Sequence, residues 1–180
     1  MTPRAALLAT VALLGGALLT WWHFRSSQRV TVSPGTVVFE IQPTLLVKLE
    51  YRSSKQWVIA TRPNDSDDAF SVVVNDASGK ERERCSAGGA FGLVLDSLTK
   101  IVARESLVPD ELEKRLLEPL LGESALLRLE DSTEIGPVEW RVAETPRGVL
   151  FYTQDAGYVV DTPSAIFARL EAGCRGVGSP

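Results

Sequence analysis

From residue 36 onward, apolar and polar positions alternate along most of the chain, the period-two signature of half-buried strands. Leu45, Val47, Leu49 and Tyr51 alternate with Leu46, Lys48, Glu50 and Arg52. Ser53-Ser54-Lys55 turns this strand into a second one over 56–61, with Trp57 and Ile59 on its apolar side. Another hairpin is expected over 70–85, turning at Asp76-Ala77-Ser78-Gly79. The period then changes. Phe91, Val94, Leu95, Leu98, Ile101 and Val102 recur at helical spacing and predict a helix over 91–102. Pro109, Asp110 and Glu111 suit the start of a second helix, and Lys114 and Arg115 suit its close before Pro119 and Gly122. Strands return over 125–130, 138–143, 149–153 and 158–160, with Trp140 and Val142 sharing a face and 145–148 turning the chain. Asp161 or Thr162 caps a last helix with Pro163 at its first position; Ile166, Phe167 and Leu170 face inward, and Gly173 ends it.

Ahead of these elements lies a different pattern. Residues 5–24 read AALLATVALLGGALLTWWHF, and 5–22 carry no charge. At ~1.5 Å per residue a helix of this length spans roughly the ~30 Å hydrocarbon core of a bilayer. Trp21 and Trp22 fall where an aromatic belt sits at the headgroups, and Arg25 follows. Two readings compete: an uncleaved signal anchor, or a secretory signal cut after Ala17 to leave Leu18 first. The anchor is preferred, because that cut exposes Leu-Leu-Thr-Trp-Trp at the new terminus. Arg4 on one side balances Arg25 and Arg29 on the other, so orientation rests on the short N-terminal tail, which favours an extracytoplasmic domain. Ala12, Gly16 and Thr20 share one face at i, i+4 spacing and permit close approach of another membrane helix, although small residues are common in such spans.

The expected fold class is α+β: an N-terminal transmembrane helix, then antiparallel strands and hairpins packed with two to three helices. The expected organisation is a membrane anchor over 1–24, a linker over 25–35, an extracytoplasmic domain over 36–174 and a flexible tail over 175–180. An internal echo joins KLEYRSSKQWVIATR to LRLEDSTEIGPVEWRVAETP. It reads either as a duplicated β-β-β-α unit or as the common grammar of hairpins. Trp57 and Trp140 occupy matching places in it, and both are read as core.

Composition narrows the chemistry. The chain of 180 residues has a net charge of -4, which argues against binding nucleic acid through phosphates. It holds 1 His and 2 Cys, too few for a zinc cluster. His23, the sole histidine, adjoins the apolar run and cannot complete a Ser-His-Asp triad in the domain. Gly88-Gly89-Ala90-Phe91-Gly92 precedes a helix but lacks the lysine of a phosphate loop, so helix entry explains it better than an anion site. Asn64-Asp65-Ser66-Asp67-Asp68 gathers acidic oxygens without the spacing of a calcium loop. Carboxylate pairs such as Glu81/Glu83 and Glu130/Asp131 read as solvated charges. Cys85 and Cys174 form a bridge if the domain is exported and stay free thiols if it is cytosolic; both readings remain open. No cofactor, metal site or catalytic set is expected.

The order of elements resembles a bacterial family, the domain of unknown function numbered 4340. The matching residues are Lys55-Gln56-Trp57-Val58-Ile59, the helix over 91–102, and 126–152 with Ile135-Gly136 before Trp140. The resemblance spans roughly 36–172 through loose motifs. The hairpin over 70–85 departs from it, and Leu120-Leu121-Gly122 stands where the family has Phe-Gly-Leu. Members are often encoded beside gliding-type ABC transporter components. The resemblance therefore implies an envelope accessory protein without catalytic residues. The expected function is a single-pass protein of the bacterial inner membrane that docks on another integral membrane protein. The alternative is a membrane-tethered module for a lipid or glycan.

Overall fold

The computed structural model describes residues 33–62, 69–107, 124–133, 136–146, 148–153 and 156–178. Ten strands form one antiparallel sheet: β1 (Thr36–Glu40), β2 (Leu46–Arg52), β3 (Gln56–Thr61), β4 (Ser71–Asp76), β5 (Glu81–Ser86), β6 (Lys100–Leu107), β7 (Ala125–Asp131), β8 (Val138–Thr145), β9 (Gly148–Tyr152) and β10 (Gly157–Val160). Their order across the sheet is β1-β6-β10-β9-β8-β7-β2-β3-β4-β5. Two runs of consecutive hairpins make up most of it, because short connections favour antiparallel neighbours. β2 to β5 form one meander and β7 to β10 the other. They meet at the centre, where β2 pairs with β7 and sets Leu49 opposite Leu129 and Tyr51 opposite Leu127.

Three helices lie among the described residues: α1 (Gly89–Leu98), α2 (Ala165–Glu171) and α3 (Cys174–Val177). They cover one face of the sheet. Phe91, Val94 and Leu98 of α1, Phe167 and Leu170 of α2 and Val177 of α3 join Leu49, Val58, Val72, Leu127 and Phe151 of the strands in one buried cluster. Full burial of such side chains is worth about 1.5–3 kcal/mol each. A smaller cluster of Leu107, Ala143, Leu150, Tyr152 and Val159 is buried on the opposite face.

This corrects the expected fold class. The described domain is not α+β; it is a single wide antiparallel sheet with helices of 10, 7 and 4 residues. Hairpins can be read locally, but the β2–β7 and β6–β10 pairings that fuse them join segments far apart in the chain. No helix among the described residues is long and apolar enough to cross a membrane. The transmembrane helix of the expected fold, with Ala12, Gly16, Thr20, Trp21, Trp22 and Arg25, lies outside the described residues, as does the helix expected after Pro109.

Other corrections are local. The helix of 91–102 stops at Leu98, and Thr99 closes it with its N–H and hydroxyl both donating to Leu95 O at 2.8 Å. Ile101 and Val102 belong to β6 instead. Their apolar positions fit a helical period as well as a strand, and pairing with β1 and β10 decided between them. On β3, Val58 and Ala60 are fully buried, whereas Trp57 and Ile59 are half-buried on the other face. Both faces of this strand are apolar, so alternation identified the pairs but not the covered side. On β2 an irregularity between Leu46 and Lys48 buries Leu46 and leaves Leu45 exposed. The tail expected to be flexible is ordered through Gly178: Val177 is fully buried and Gly178 bridges Ala87.

The internal echo corresponds to two four-stranded meanders, each followed by a helix: β2–β5 then α1, and β7–β10 then α2. The repeat has one more strand than the β-β-β-α unit suggested by the sequence.

Glycine permits the close packing of α3. A Cβ on Gly176 would fall 2.1 Å from Arg169 O, a backbone atom that cannot yield. Gly92 on α1 has nothing within 4 Å of the same position. Gly176→Ala is therefore expected to destabilise by about 1–3 kcal/mol through overpacking. Gly92→Ala should instead stabilise by about 0.5–1 kcal/mol through helix propensity. Paired urea melts test the contrast, and equal effects of the two variants would refute it.

Candidate functional site

Cys85 at the end of β5 and Cys174 at the start of α3 are joined in a disulfide, with Cα atoms 6.0 Å apart. The corner around the bridge is closely tied. Glu83 on β5 accepts the Cys174 N–H at 3.2 Å, and Gly88 donates its N–H to Val177 O at 2.9 Å. Gly173 enters α3 with φ 60°, where a side chain is strained. Gly88 is thus occupied in fastening α3, in keeping with the helix-entry reading of the Gly88–Gly92 run.

At the end of the sheet, a shallow cleft of about 110 Å³ opens between the β2–β3 and β4–β5 turns. Arg52, Gln56, Trp57 and Asp76 line it together with Ser53 and 77–79. The Arg52 guanidinium lies 5.6 Å from the centre of the Trp57 ring, within cation–π range. Trp57 Nε1 is buried and has no hydrogen-bond partner among the described residues. Asp76 accepts hydrogen bonds from Ser78 Oγ at 2.5 Å, Ser78 N–H at 2.9 Å and Lys80 N–H at 3.1 Å. These bonds, the Ser78 hydroxyl foremost, hold its carboxyl below the usual carboxylate range. Asp76 is the acceptor that shapes the turn. The cleft is well below the roughly 300–1,000 Å³ typical of ligand pockets, so its dimensions fit a turn junction better than a small-molecule site.

Around the cleft, Ile59 stands opposite Val73 and Trp57 opposite Asn75. Ion pairs lie to one side of them: Lys48 Nζ with Glu50 at 2.5 Å on β2, and Arg128 with Glu139 at 3.6 Å across β7 and β8. The face thus combines half-buried apolar side chains with charges of both signs, the mixed make-up of transient protein contact surfaces. Among the described residues, no helix packs on this part of the sheet.

Beneath the helices, the Tyr51 hydroxyl donates to Glu171 Oε1 at 2.9 Å. Burial first, and then the Glu171 and Glu144 carboxylates, push its pKa well above the usual tyrosine range. The hydroxyl stays protonated and pins the end of α2, together with the Gln56 amide, which donates to Leu170 O at 2.7 Å.

Of the residues singled out in the sequence, Cys85 and Cys174 are brought together. Trp140 packs against the core, with ring centres 6.2 Å from Phe151 and 6.0 Å from Tyr158. Trp57 does not join that core and stands by Arg52. Glu81 pairs with Arg84 at 2.8 Å, and Asp131 accepts the Thr133 N–H at 3.0 Å. The acidic run at 64–68 and His23 lie outside the described residues. Among the described residues, no group of three or more metal-ligating side chains occurs. The Trp57–Arg52–Asn75 grouping has no local signature, because cross-strand register alone assembles it.

No family model, no curated protein and no solved structure matches this chain. The resemblance to the family of unknown function therefore rests on the quoted residues alone.

Proposed function

We propose that this protein is a non-catalytic, single-pass accessory protein of the cell envelope, whose sheet domain docks on a larger membrane assembly such as an ABC-transporter-type complex. The observation that carries the reading is the Cys85–Cys174 bridge, which follows an uncharged apolar run at 5–22 in the same chain. Bridges of this kind persist in oxidising compartments, and an uncharged run of this length suits a membrane. The sheet face opposite the helices supports docking. Trp57, Ile59 and Val73 supply apolar contact beside the Lys48–Glu50 ion pair, and the adjoining cleft is too small to hold a lipid or glycan.

Solubilisation in mild detergent followed by affinity capture tests the reading. A stoichiometric membrane-protein partner is expected, and Ile59→Arg should abolish its capture without lowering the melting temperature. A co-purified lipid or glycan with no protein partner would replace docking by ligand binding. Intact-mass measurement tests the anchor: a mature chain beginning at Leu18 would overturn it.

A further inference from the structure

Leu107, Ala143, Leu150, Tyr152 and Val159 form the small buried cluster on the face opposite the helices. Leu150 is 0% exposed, and Tyr152, the most open member, is 8% exposed. A sheet face reaches such burial only under a second layer, because neighbouring strands shield its side chains from the flanks but not from above. No residue of α1, α2 or α3 belongs to the cluster. The layer over it therefore comes from elsewhere in the chain.

The connection between β6 and β7, residues 108–123, is placed to supply that layer. It leaves from Leu107, itself a member of the cluster, and leads to Ala125, which pairs with Val142 beside Ala143. β10, β9 and β8 stand between β6 and β7, and each neighbouring pair in this row is antiparallel. Four reversals leave β6 and β7 parallel, so their connection passes over a face of the sheet. At about 4.8 Å per strand step the crossing is roughly 19 Å, within reach of this segment even as a helix rising ~1.5 Å per residue. On the helix face the same strands are already covered: Val142, Phe151 and Val160 share one core with Ile166 and Phe167 of α2.

Handedness selects the same face. β5 and β6 are also parallel by this count, and α1 carries the chain between them along the helix face. The β6-to-β7 connection runs back across the sheet in the opposite direction. Crossovers between parallel strands are right-handed almost without exception, and two that run in opposite directions share that hand only on opposite faces. The residues of the connection suit this place. Leu112, Leu116 and Leu117 recur at helical spacing, and Lys114, Arg115 and Glu118 fall on the other side.

We propose that 108–123 packs across β10, β9 and β8 with its leucines on Leu107, Leu150 and Val159, as the layer that buries this half of the face. A partner is then confined to the other half, where Trp57, Ile59 and Val73 lie beyond β7 and β2. The packing rests on the topology and not on the docking reading.

Disulfide trapping in the full chain tests the packing. Ala143→Cys is combined in turn with Leu112→Cys, Leu116→Cys or Leu117→Cys, and for comparison with Lys114→Cys or Glu118→Cys. After mild oxidation, non-reducing peptide mapping should find at least one leucine position joined to position 143 of the same chain, at least tenfold more than either charged position. Thermal melts give a second readout that needs no new cysteine. The losses from Leu116→Ala and Val159→Ala should be non-additive in the double variant, because residues in contact share one packing arrangement. Equal trapping at leucine and charged positions, no trapping within the chain, linkage of position 143 to a different protein, or additive losses would each overturn the proposal.

Discussion

Reduction of the Cys85–Cys174 bridge is expected to lower the stability of the domain by about 4.6 kcal/mol, the chain-entropy value for a loop of this size. The two cysteines are 89 positions apart, so the bridge removes much of the freedom of the unfolded chain. It closes one of the largest loops the domain offers, since β5 and α3 enclose everything from α1 to α2. A stability of ~5–15 kcal/mol is usual for a domain, so the loss would be a large share of the total. The bridge also acts locally. Without it, α3 has only 4 residues and depends on Val177, the Gly88–Val177 hydrogen bond and the Glu83 carboxylate to stay in place. Urea melts with and without a dithiol reductant measure the first effect. Hydrogen exchange at Gly88 and Gly178 measures the second. A Cys85→Ala, Cys174→Ala double variant that melts within about 1 kcal/mol of the parent would show that the bridge contributes little to this fold.

The second large effect concerns the aromatic centre of the core. Phe151 is fully buried on β9, with ring centres 6.2 Å from Trp140 and 6.1 Å from Phe167. It connects the sheet to α2. Phe151→Ala is expected to cost about 3–5 kcal/mol, through lost burial and the cavity left behind. Trp140 sits at the margin of the same group, so Trp140→Ala should cost less. Trp57→Ala should cost least, close to about 1 kcal/mol, because this ring lies half-buried on the opposite face beneath Arg52. From the alternation alone, the two tryptophans looked equivalent. The order Phe151, Trp140, Trp57 in chemical-denaturation midpoints is the quantity to measure. A Trp57→Ala loss as large as that of Phe151→Ala would mean that the face carrying the cleft is sealed in the folded domain, and would remove its use as a docking surface.

Much of the local structure was legible in the residues. Turn chemistry at Asp76-Ala77-Ser78-Gly79 placed β4 and β5, where Asp76 does accept the turn's hydrogen bonds. The spacing of Ile166, Phe167 and Leu170 placed α2, and all three side chains are buried, but the helix begins at Ala165 with Ser164 at its N-cap, beyond the Asp161 or Thr162 cap and the Pro163 start expected. Such features depend on neighbours within a few positions, so the sequence carries them directly. The candidate surfaces were less legible. The bridge was one of two open readings, and spatial proximity of Cys85 to Cys174 chose between them.

What the sequence determined by itself is therefore the set of hairpins, the last helix and the apolar run that sets residues 5–22 apart. Periodicity and turn preference act over short distances, and no distant contact was needed to read them. Tertiary structure alone decided that the two meanders fuse through β2 and β7, that Ile101 and Val102 extend a strand, and that Val58 rather than Trp57 faces the helices. The reason is the same in each case. A strand that is apolar on both sides, or a segment whose spacing fits either period, has nearly balanced local preferences. Pairing with a strand far away in the chain, and burial of one face under α1 and α2, supply the free energy that breaks the tie.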